Sequence, residues 1–334
     1  MTPVDIEDDL RRSVEPMYMD VPVEQIQRRA KHRRHRQQRL IAAPLAVAVV
    51  AVALPLSLPK DHGGPVSAAA ALRATASSAA EQSWTPPKPG QYWYSESKSM
   101  CSEGGGDLKS ATIYLPLTSE SWMAPDSSGR VEQHMGTEIT FLTEQDRQAW
   151  IDAGRPTSEA GESDSWTFAP GTGAYNFGAG ALTLQQLLDL PTDETKLEAM
   201  IQKAAHSAGP SPTEETWAIF TDLAPTPLSP AARAALFRVV AANVPDVHYL
   251  GPTTDPLGRE GVAVARDKGV TTTLVGQVGV RDVVIYDPVT GQLLATQTVA
   301  TKADPGGSVP VGTTIEQDII VRSGWVDSTT ERPA

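Results

Sequence analysis

The stretch VRDVVIYDPVTGQLLATQTVA, residues 280–300, decides the fold class of this chain. Two runs rich in β-branched residues, Val280–Tyr286 and Leu293–Ala300, flank the short connection Asp287–Gly291. Proline early in the connection and glycine at its end are typical of a tight turn. Because so short a connection joins antiparallel neighbours, the stretch predicts an antiparallel hairpin.

Strand-like segments elsewhere form two blocks, one on each side of a helical region. The predicted strands of the first block are Gln91–Ser97, Ser110–Leu117, Thr118–Met123, Val131–His134 and Glu138–Phe141. Those that accompany the hairpin in the second block are Val247–Leu250, Val262–Arg266, Thr272–Gln277 and Thr314–Val321. Short connections favour antiparallel pairing, so we expect the two blocks to form one sheet.

Four helices are predicted between Leu182 and Asn243. The first is Leu182–Leu190, and the second begins after Thr192. Ser211 and Ser229 are each followed by proline, which is typical of a helix cap and first helical position. The strand–helix–strand order predicts an α+β fold. We expect an antiparallel sheet that is covered by helices and preceded by one transmembrane helix. A sheet curved into an incomplete barrel is one form of this expectation.

The predicted helices carry apolar stripes that need a surface to bury against. Seven residues of these stripes are candidates for the wall of an apolar groove on the sheet: Leu197, Met200, Ile201, Trp217, Phe220, Leu236 and Val239. If the stripes fill the concave side of the sheet, they are core residues, and a scaffold or sensor is favoured. If they line a cavity, an apolar ligand is expected. Aromatics make up only 6% of the chain, which favours the cavity.

The segment Leu40–Leu58 is predicted to cross a membrane. It reads LIAAPLAVAVVAVALPLSL and carries no charge. At ~1.5 Å per residue it spans ~28 Å, close to the hydrocarbon thickness of a bilayer. The rival interpretation is a signal peptide cleaved near the small residues 67–71, but the 39 residues before the apolar run are long for such a signal.

Basic residues on one side of this segment predict its orientation. Arg33, Arg34, Arg36 and Arg39 belong to a basic run before the span, whereas only Lys60 follows it closely. Since basic flanks stay in the cytoplasm, we expect a single-pass protein of the cell membrane with an extracytoplasmic C-terminal domain. The predicted parts are a basic cytoplasmic arm (1–39), a transmembrane helix (40–58), an Ala/Pro-rich linker (59–90) and an α+β domain (91–330).

No sequence motif supports a catalytic, cofactor or metal site. The six histidines and the single cysteine, Cys101, form no metal-binding pattern. Residues 60–334 carry 19 basic and 33 acidic side chains, a balance that disfavours nucleic acid as a partner. Glu316 and Asp318 share one face of a predicted strand, and Asp282 and Asp287 flank another. Acid pairs of this kind leave an enzyme as a minor hypothesis.

Several short segments resemble a family of single-pass envelope proteins from actinomycetes whose function is not established. They are spread along most of the range 91–330: QYWYSE (91–96), SESW (119–122), LPTD (190–193), PAARAAL (230–236), IYDPVTG (285–291) and VDS (326–328). The resemblance implies a location and a topology but no activity. The chain is more loosely similar to periplasmic lipid-carrier lipoproteins, whose lipidated cysteine it lacks, and to membrane-spanning anti-sigma factors, whose zinc motif it lacks.

Three functions from different classes follow from these observations. The first is a non-catalytic envelope module that binds an apolar or lipid-like ligand. The second is a transmembrane, anti-sigma-like regulator whose arm contacts a cytoplasmic partner that the sequence does not identify. The third is an envelope hydrolase with an unidentified acid pair. The bilayer itself is the one partner that all three share.

Overall fold

The structure is a computed structural model that describes residues 66–104, 112–156, 160–208, 211–273, 276–302 and 309–333. The helices are α1 (Ala68–Ala80), α2 (Glu144–Asp152), α3 (Leu184–Leu188), α4 (Glu194–Ala208), α5 (Pro212–Leu223) and α6 (Pro230–Asn243). The strands are β1 (Tyr92–Gly104), β2 (Thr112–Met123), β3 (Gly129–Met135), β4 (Ser163–Phe168), β5 (Tyr175–Phe177), β6 (Gly180–Leu182), β7 (Val247–Thr254), β8 (Glu260–Thr273), β9 (Gly276–Tyr286), β10 (Leu293–Lys302) and β11 (Thr314–Val326).

One antiparallel sheet holds nine of these strands, in the order β4-β3-β2-β1-β11-β10-β9-β8-β7. The two predicted blocks meet at its centre, where β1 pairs with β11 and Trp93 lies opposite Trp325. The α+β prediction, with both blocks in one antiparallel sheet, is therefore confirmed. β5 and β6 form a separate two-stranded sheet.

The hairpin predicted at residues 280–300 is confirmed. β9 and β10 pair antiparallel, with Val284 opposite Thr296. The Asp287 carboxylate accepts hydrogen bonds from the backbone N–H groups of Val289 and Thr290, at 2.7 and 3.0 Å, which shapes the turn. Gly291 closes it with a φ of 67°, a conformation that glycine adopts at little cost.

The capping signals in the sequence predicted the starts of the helices well. Ser211 and Ser229 each cap a helix whose first residue is proline, and each hydroxyl accepts a backbone N–H three residues on. Four helices lie between residues 182 and 243, as predicted. The second begins one residue later than expected, since the Asp193 carboxylate, not Thr192, accepts the N–H of Lys196.

Local patterns failed for several elements of the first block. The two strands predicted at Ser110–Leu117 and Thr118–Met123 are one strand, β2. Around Glu138–Phe141 the structure has only an isolated bridge, between Thr140 and Tyr114. The helix α2 and the edge strand β4 were not predicted. β4 escaped notice because five of its six side chains are exposed, which removes the alternation typical of a half-buried strand.

Part of the predicted linker belongs to the folded domain. Helix α1 lies within the 59–90 segment, with Ser67 as its N-cap. Its residues Ala68, Leu72 and Ala76 are buried in the main hydrophobic core, against the other helices. The folded unit therefore includes α1 as well as the strands that follow residue 90.

The predicted membrane span, Leu40–Leu58, and the basic arm before it lie outside the described residues. Within the described ranges, no helix combines the length and the hydropathy needed to cross a bilayer.

Candidate functional site

The seven residues proposed as an apolar groove are placed in the hydrophobic core. Leu197, Ile201, Trp217, Phe220, Leu236 and Val239 are each at most 2% exposed, and Met200 packs against them partly buried. Trp217, Phe220 and Phe237 form a chain of ring contacts that ends on Tyr286 of the sheet. None of the seven lines either of the two cavities described below. At these residues the stripes fill the space, so the structure does not have the expected apolar cavity there.

Apart from α2, which packs near Ile113 and Leu115 of β2, the helices cover one end of the sheet face on which they lie. Residues opposite or two apart on paired strands share a face. On β9 that face runs from the core residues Tyr286 and Val284 to Asp282, and on β11 from Trp325 and Ile320 to polar positions. The same face is therefore apolar under the helices and polar beyond them.

The polar end forms an open-sided groove with a volume of about 420 Å3. Its walls come from the sheet and from the end of α5. The charged side chains that line it are Asp222, Lys268, Asp282, Glu316 and Asp318. The neutral polar residues of the lining are Ser97, Ser99, Ser119, Gln133, Thr221, Thr296, Gln297, Thr298 and Gln317, and the apolar ones are Leu117, Pro225, Val283, Val284, Leu293 and Ile320. Four acidic side chains and one basic side chain give this groove a negative charge.

A single hydroxyl links two of the carboxylates. The Thr298 Oγ1 lies 3.0 Å from Glu316 Oε2 and 3.4 Å from Asp282 Oδ1. Because a hydroxyl has one proton to donate, it can satisfy only one of the two carboxylates at a time. Lys268 Nζ lies 3.2 Å from Asp282 Oδ2, and the Ser99 hydroxyl donates to Asp318. The strand register thus gathers carboxylates from β9 and β11 around one threonine of β10.

Part of this groove was predictable from the spacing of acidic residues in the sequence. Glu316 and Asp318 do lie on one face, and Asp282 joins them. Asp287, which was paired with Asp282 in the sequence, instead forms the β9–β10 turn. Thr298 and Lys268 were missed, since no local pattern shows which strand lies beside which.

Metal binding was also considered for the histidines. His134 lies on β3 and His248 on β7, near opposite edges of the nine-stranded sheet. His134 contacts Ser163 and His248 contacts Asp267. No group of three or more His, Cys, Asp or Glu residues in the described part of the chain is arranged to hold a metal ion.

The opposite, convex face carries an ion-pair network around two buried aromatics, Tyr94 and Trp122. The Tyr94 hydroxyl donates to Glu120 at 2.5 Å, and the Arg332 guanidinium donates to both oxygens of the same carboxylate. These contacts, above all the hydrogen bond from Arg332, hold the pKa of Glu120 below its usual range. The Trp122 indole N–H donates to the Glu331 carbonyl at 2.7 Å, which fixes the C-terminal tail on this face.

Comparison with known proteins leaves the family open. No protein-family model matches this chain, and no curated protein matches it. The resemblance to actinomycete envelope proteins therefore stays a prediction.

Two solved structures show a weak likeness. The complex structure of Pseudomonas aeruginosa MucA/MucB is 11% identical, covers 80% of this chain and has a TM-score of 0.28. The crystal structure of MucB in complex with MucA(peri) is 10% identical, with the same coverage and TM-score. This chain spans 58% and 57% of those two chains. A likeness of that size supports no conclusion about function.

Proposed function

We propose that this chain is a membrane-anchored sensing module of the cell envelope whose concave groove binds an extended cationic ligand, such as a basic segment of a partner protein. The observation that carries the proposal is the acidic groove itself. Four carboxylates and one lysine line an open space beside a core that is already filled. Complementary charge draws a cationic ligand to such a surface and orients it there.

The lining disfavours the lipid-like ligand that was the first sequence-based hypothesis. An acyl chain gains free energy by leaving water for apolar surroundings. The apolar stripes that were expected to provide these surroundings are packed against one another and the sheet. Most residues that line the open space carry hydroxyls, amides or charged groups, which an acyl chain would desolvate without forming hydrogen bonds.

The shape of the groove favours an extended ligand. Its lining side chains come from seven consecutive strands of the sheet, from Gln133 of β3 to Lys268 of β8. Neighbouring strands lie about 4.8 Å apart, so the groove runs roughly 29 Å across them. A peptide of about eight extended residues has that length.

The anchored topology is part of the proposal and rests on the sequence. The basic arm (1–39) is cytoplasmic, residues 40–58 cross the membrane, and the described domain faces outward, since the arginines precede the span. On this arrangement the open sheet acts as an incomplete barrel that receives its ligand outside the cell, and the arm reports to a cytoplasmic partner. Cys101 is the only cysteine, so it can report topology. In intact cells a membrane-impermeant thiol reagent should label it. Labelling that occurs only after lysis would show that the proposed orientation is wrong.

Ligand binding is tested on the full chain in detergent micelles by fluorescence anisotropy. The probe is a labelled eight-residue peptide of alternating Lys and Ala, compared with Ser/Ala and Glu/Ala peptides. Only the lysine peptide should bind, and its affinity should fall as salt is raised. The double variant Asp282→Asn/Glu316→Gln should weaken binding by about tenfold or more, because charge-assisted hydrogen bonds are lost.

The matched control is Glu260→Gln, which removes one negative charge from an exposed position at the start of β8. It should bind the lysine peptide as the wild type does. If the Ser/Ala peptide binds as tightly as the lysine peptide, or if the double variant binds as the wild type does, the groove is not a binding site for a cationic ligand.

A further inference from the structure

A second cavity of about 200 Å3 lies where β10 and β11 separate, under the loop between α5 and α6. Its lining includes three arginines, Arg233, Arg259 and Arg322, and no acidic residue. It shares Pro225, Leu293 and Ile320 with the acidic groove, so the two spaces are neighbours of opposite charge.

Two of the three arginines have their charge balanced inside the protein. Arg259 forms a salt bridge with the fully buried carboxylate of Asp255 at 2.5 Å. Arg322 pairs with Glu96 at 2.7 Å. Their guanidinium groups serve the fold, because each already has a carboxylate partner.

Arg233 differs, since no carboxylate of the described residues pairs with it. Its side chain projects from α6 and is only 7% exposed. Its terminal nitrogens donate to two backbone carbonyls, that of Thr226 at 3.2 Å and that of Thr290 at 3.4 Å. Its Nε–H is enclosed without an acceptor. With five N–H groups on a guanidinium, about two on the terminal nitrogens remain for another partner.

A buried cation without a counter-ion is unfavourable, because burial removes its hydration. That burial lowers the pKa of Arg233 to about 10, so the group still carries its charge at neutral pH. A hydrophobic residue at this position would avoid the cost, and a carboxylate nearby would offset it. The chain has neither, but it leaves a cavity of adequate size beside the guanidinium.

We infer that this cavity binds a small oxyanion, a phosphate or carboxylate group, through Arg233. The planar guanidinium matches such groups by donating parallel hydrogen bonds to two oxygens. Thr226, Gln292 and Ser323 add polar groups to the wall. The volume is equivalent to about seven water molecules, which suits one small anion or the charged end of a larger ligand.

The test measures thermal unfolding of the full chain in detergent micelles, followed by its tryptophan fluorescence. Phosphate, acetate and glycerol phosphate are each titrated at constant ionic strength against sodium chloride. Phosphate or acetate should raise the unfolding temperature of the wild type in a saturable way, whereas chloride should not. A response to glycerol phosphate assigns the site to the end group of a larger ligand, and a response to the inorganic ion alone assigns it to a free anion.

Three variants locate the effect. Arg233→Met should weaken anion binding by about 10–100-fold, the usual value of charge-assisted hydrogen bonds. Arg238→Met, five residues along the same helix and outside the cavity lining, should change nothing. Ser323→Leu narrows the cavity and keeps Arg233, so it should also weaken binding, which covers the case in which Arg233→Met does not fold. The inference is overturned if chloride acts as phosphate does, or if Arg233→Met and Ser323→Leu both bind as the wild type. These outcomes do not depend on the lysine peptide, so this cavity and the acidic groove stand or fall separately.

Discussion

The two ends of the concave sheet face are built from the same strands and differ in what covers them. Under the helices, Tyr286 and Val284 of β9 belong to a dry core, and Trp325 of β11 packs on it. Farther along the same strands, Asp282 and Asp318 line an open groove. The boundary follows the footprint of the helices rather than the strand order.

This difference indicates that one β-strand here meets two different requirements along its length, one under the helices and one in the open groove. The half of each strand that lies under the helices has to be apolar because the helical stripes need a partner surface. The other half has no such partner, so polar side chains are stable there. Four experiments test how sharp the division is.

Truncation of a core aromatic should have the largest effect. Phe237 is fully buried and contacts the rings of Phe220 and Tyr286 at centroid distances of 5.3 and 5.1 Å. Phe237→Ala should lower the free energy of unfolding by about 3–5 kcal/mol, measured by urea denaturation. Val289→Ala, at a residue 56% exposed in the hairpin turn, is the control and should stay within about 0.5 kcal/mol. A loss below about 1 kcal/mol at Phe237 would mean that the covered end is loosely packed.

A hydroxyl placed in the covered end should be costly. Val284 is 1% exposed, and it belongs to the core at the point where the core borders the groove. Val284→Thr should lower the free energy of unfolding by about 1–3 kcal/mol, because its hydroxyl is buried without a matching partner. The same denaturation experiment measures it. A neutral result would place the boundary closer to the helices than the structure does.

The opposite substitution, of a groove threonine by valine, should lower the free energy of unfolding by less. Thr298→Val keeps the shape and removes the hydroxyl that bonds Glu316 at 3.0 Å. We expect a loss of about 1 kcal/mol or less, since the groove is open and water can replace the hydroxyl. Affinity for the lysine peptide should change more than stability, as the two carboxylates lose their shared donor. Equal costs for Thr298→Val and Val284→Thr would abolish the distinction between the two ends.

The smallest effect is expected on the convex face, which belongs to neither end. The pKa of Glu120 is lowered in the folded state, chiefly by Arg332, so its stabilising contribution is present above the unfolded pKa of about 4.3 and is lost as the pH falls through the folded value. Because Arg332 is 41% exposed, Glu120→Gln should cost only about 0.5–1 kcal/mol at pH 7. The difference from wild type should shrink below pH 4 in denaturation curves. A difference that grows on acidification would contradict the sign of the shift.

Sequence patterns predicted the elements that depend on neighbours along the chain. The hairpin at Asp287–Gly291 and the helix starts at Ser211 and Ser229 follow from turn and capping chemistry. They could not predict β2 as one strand, because its composition changes from apolar to polar near Leu117. That change looked like a break between two strands.

The groove as a whole could not be predicted, because local sequence patterns do not show which strands are neighbours in the sheet. Thr298 reaches both carboxylates only because β10 lies between β9 and β11. The pairing of β10 with β11 shifts between Thr298 and Val299, and such irregularities have no sequence signal here. The apolar stripes were identified correctly as stripes. Whether they enclose space or fill it depends on packing across six helices and a sheet.

Because β1 pairs with β11, the sheet can be completed only late in the synthesis of the chain. Trp93 and Trp325 lie side by side at the middle of the sheet although 232 positions separate them along the chain. At a synthesis rate of about 5–20 residues per second, β1 waits roughly 12–46 s for its neighbour. Until then β1 presents a long unpaired edge, the kind of surface on which nascent chains aggregate. A ribosome that stalls before β11 therefore leaves the strands on either side of β11 without the neighbour that joins them.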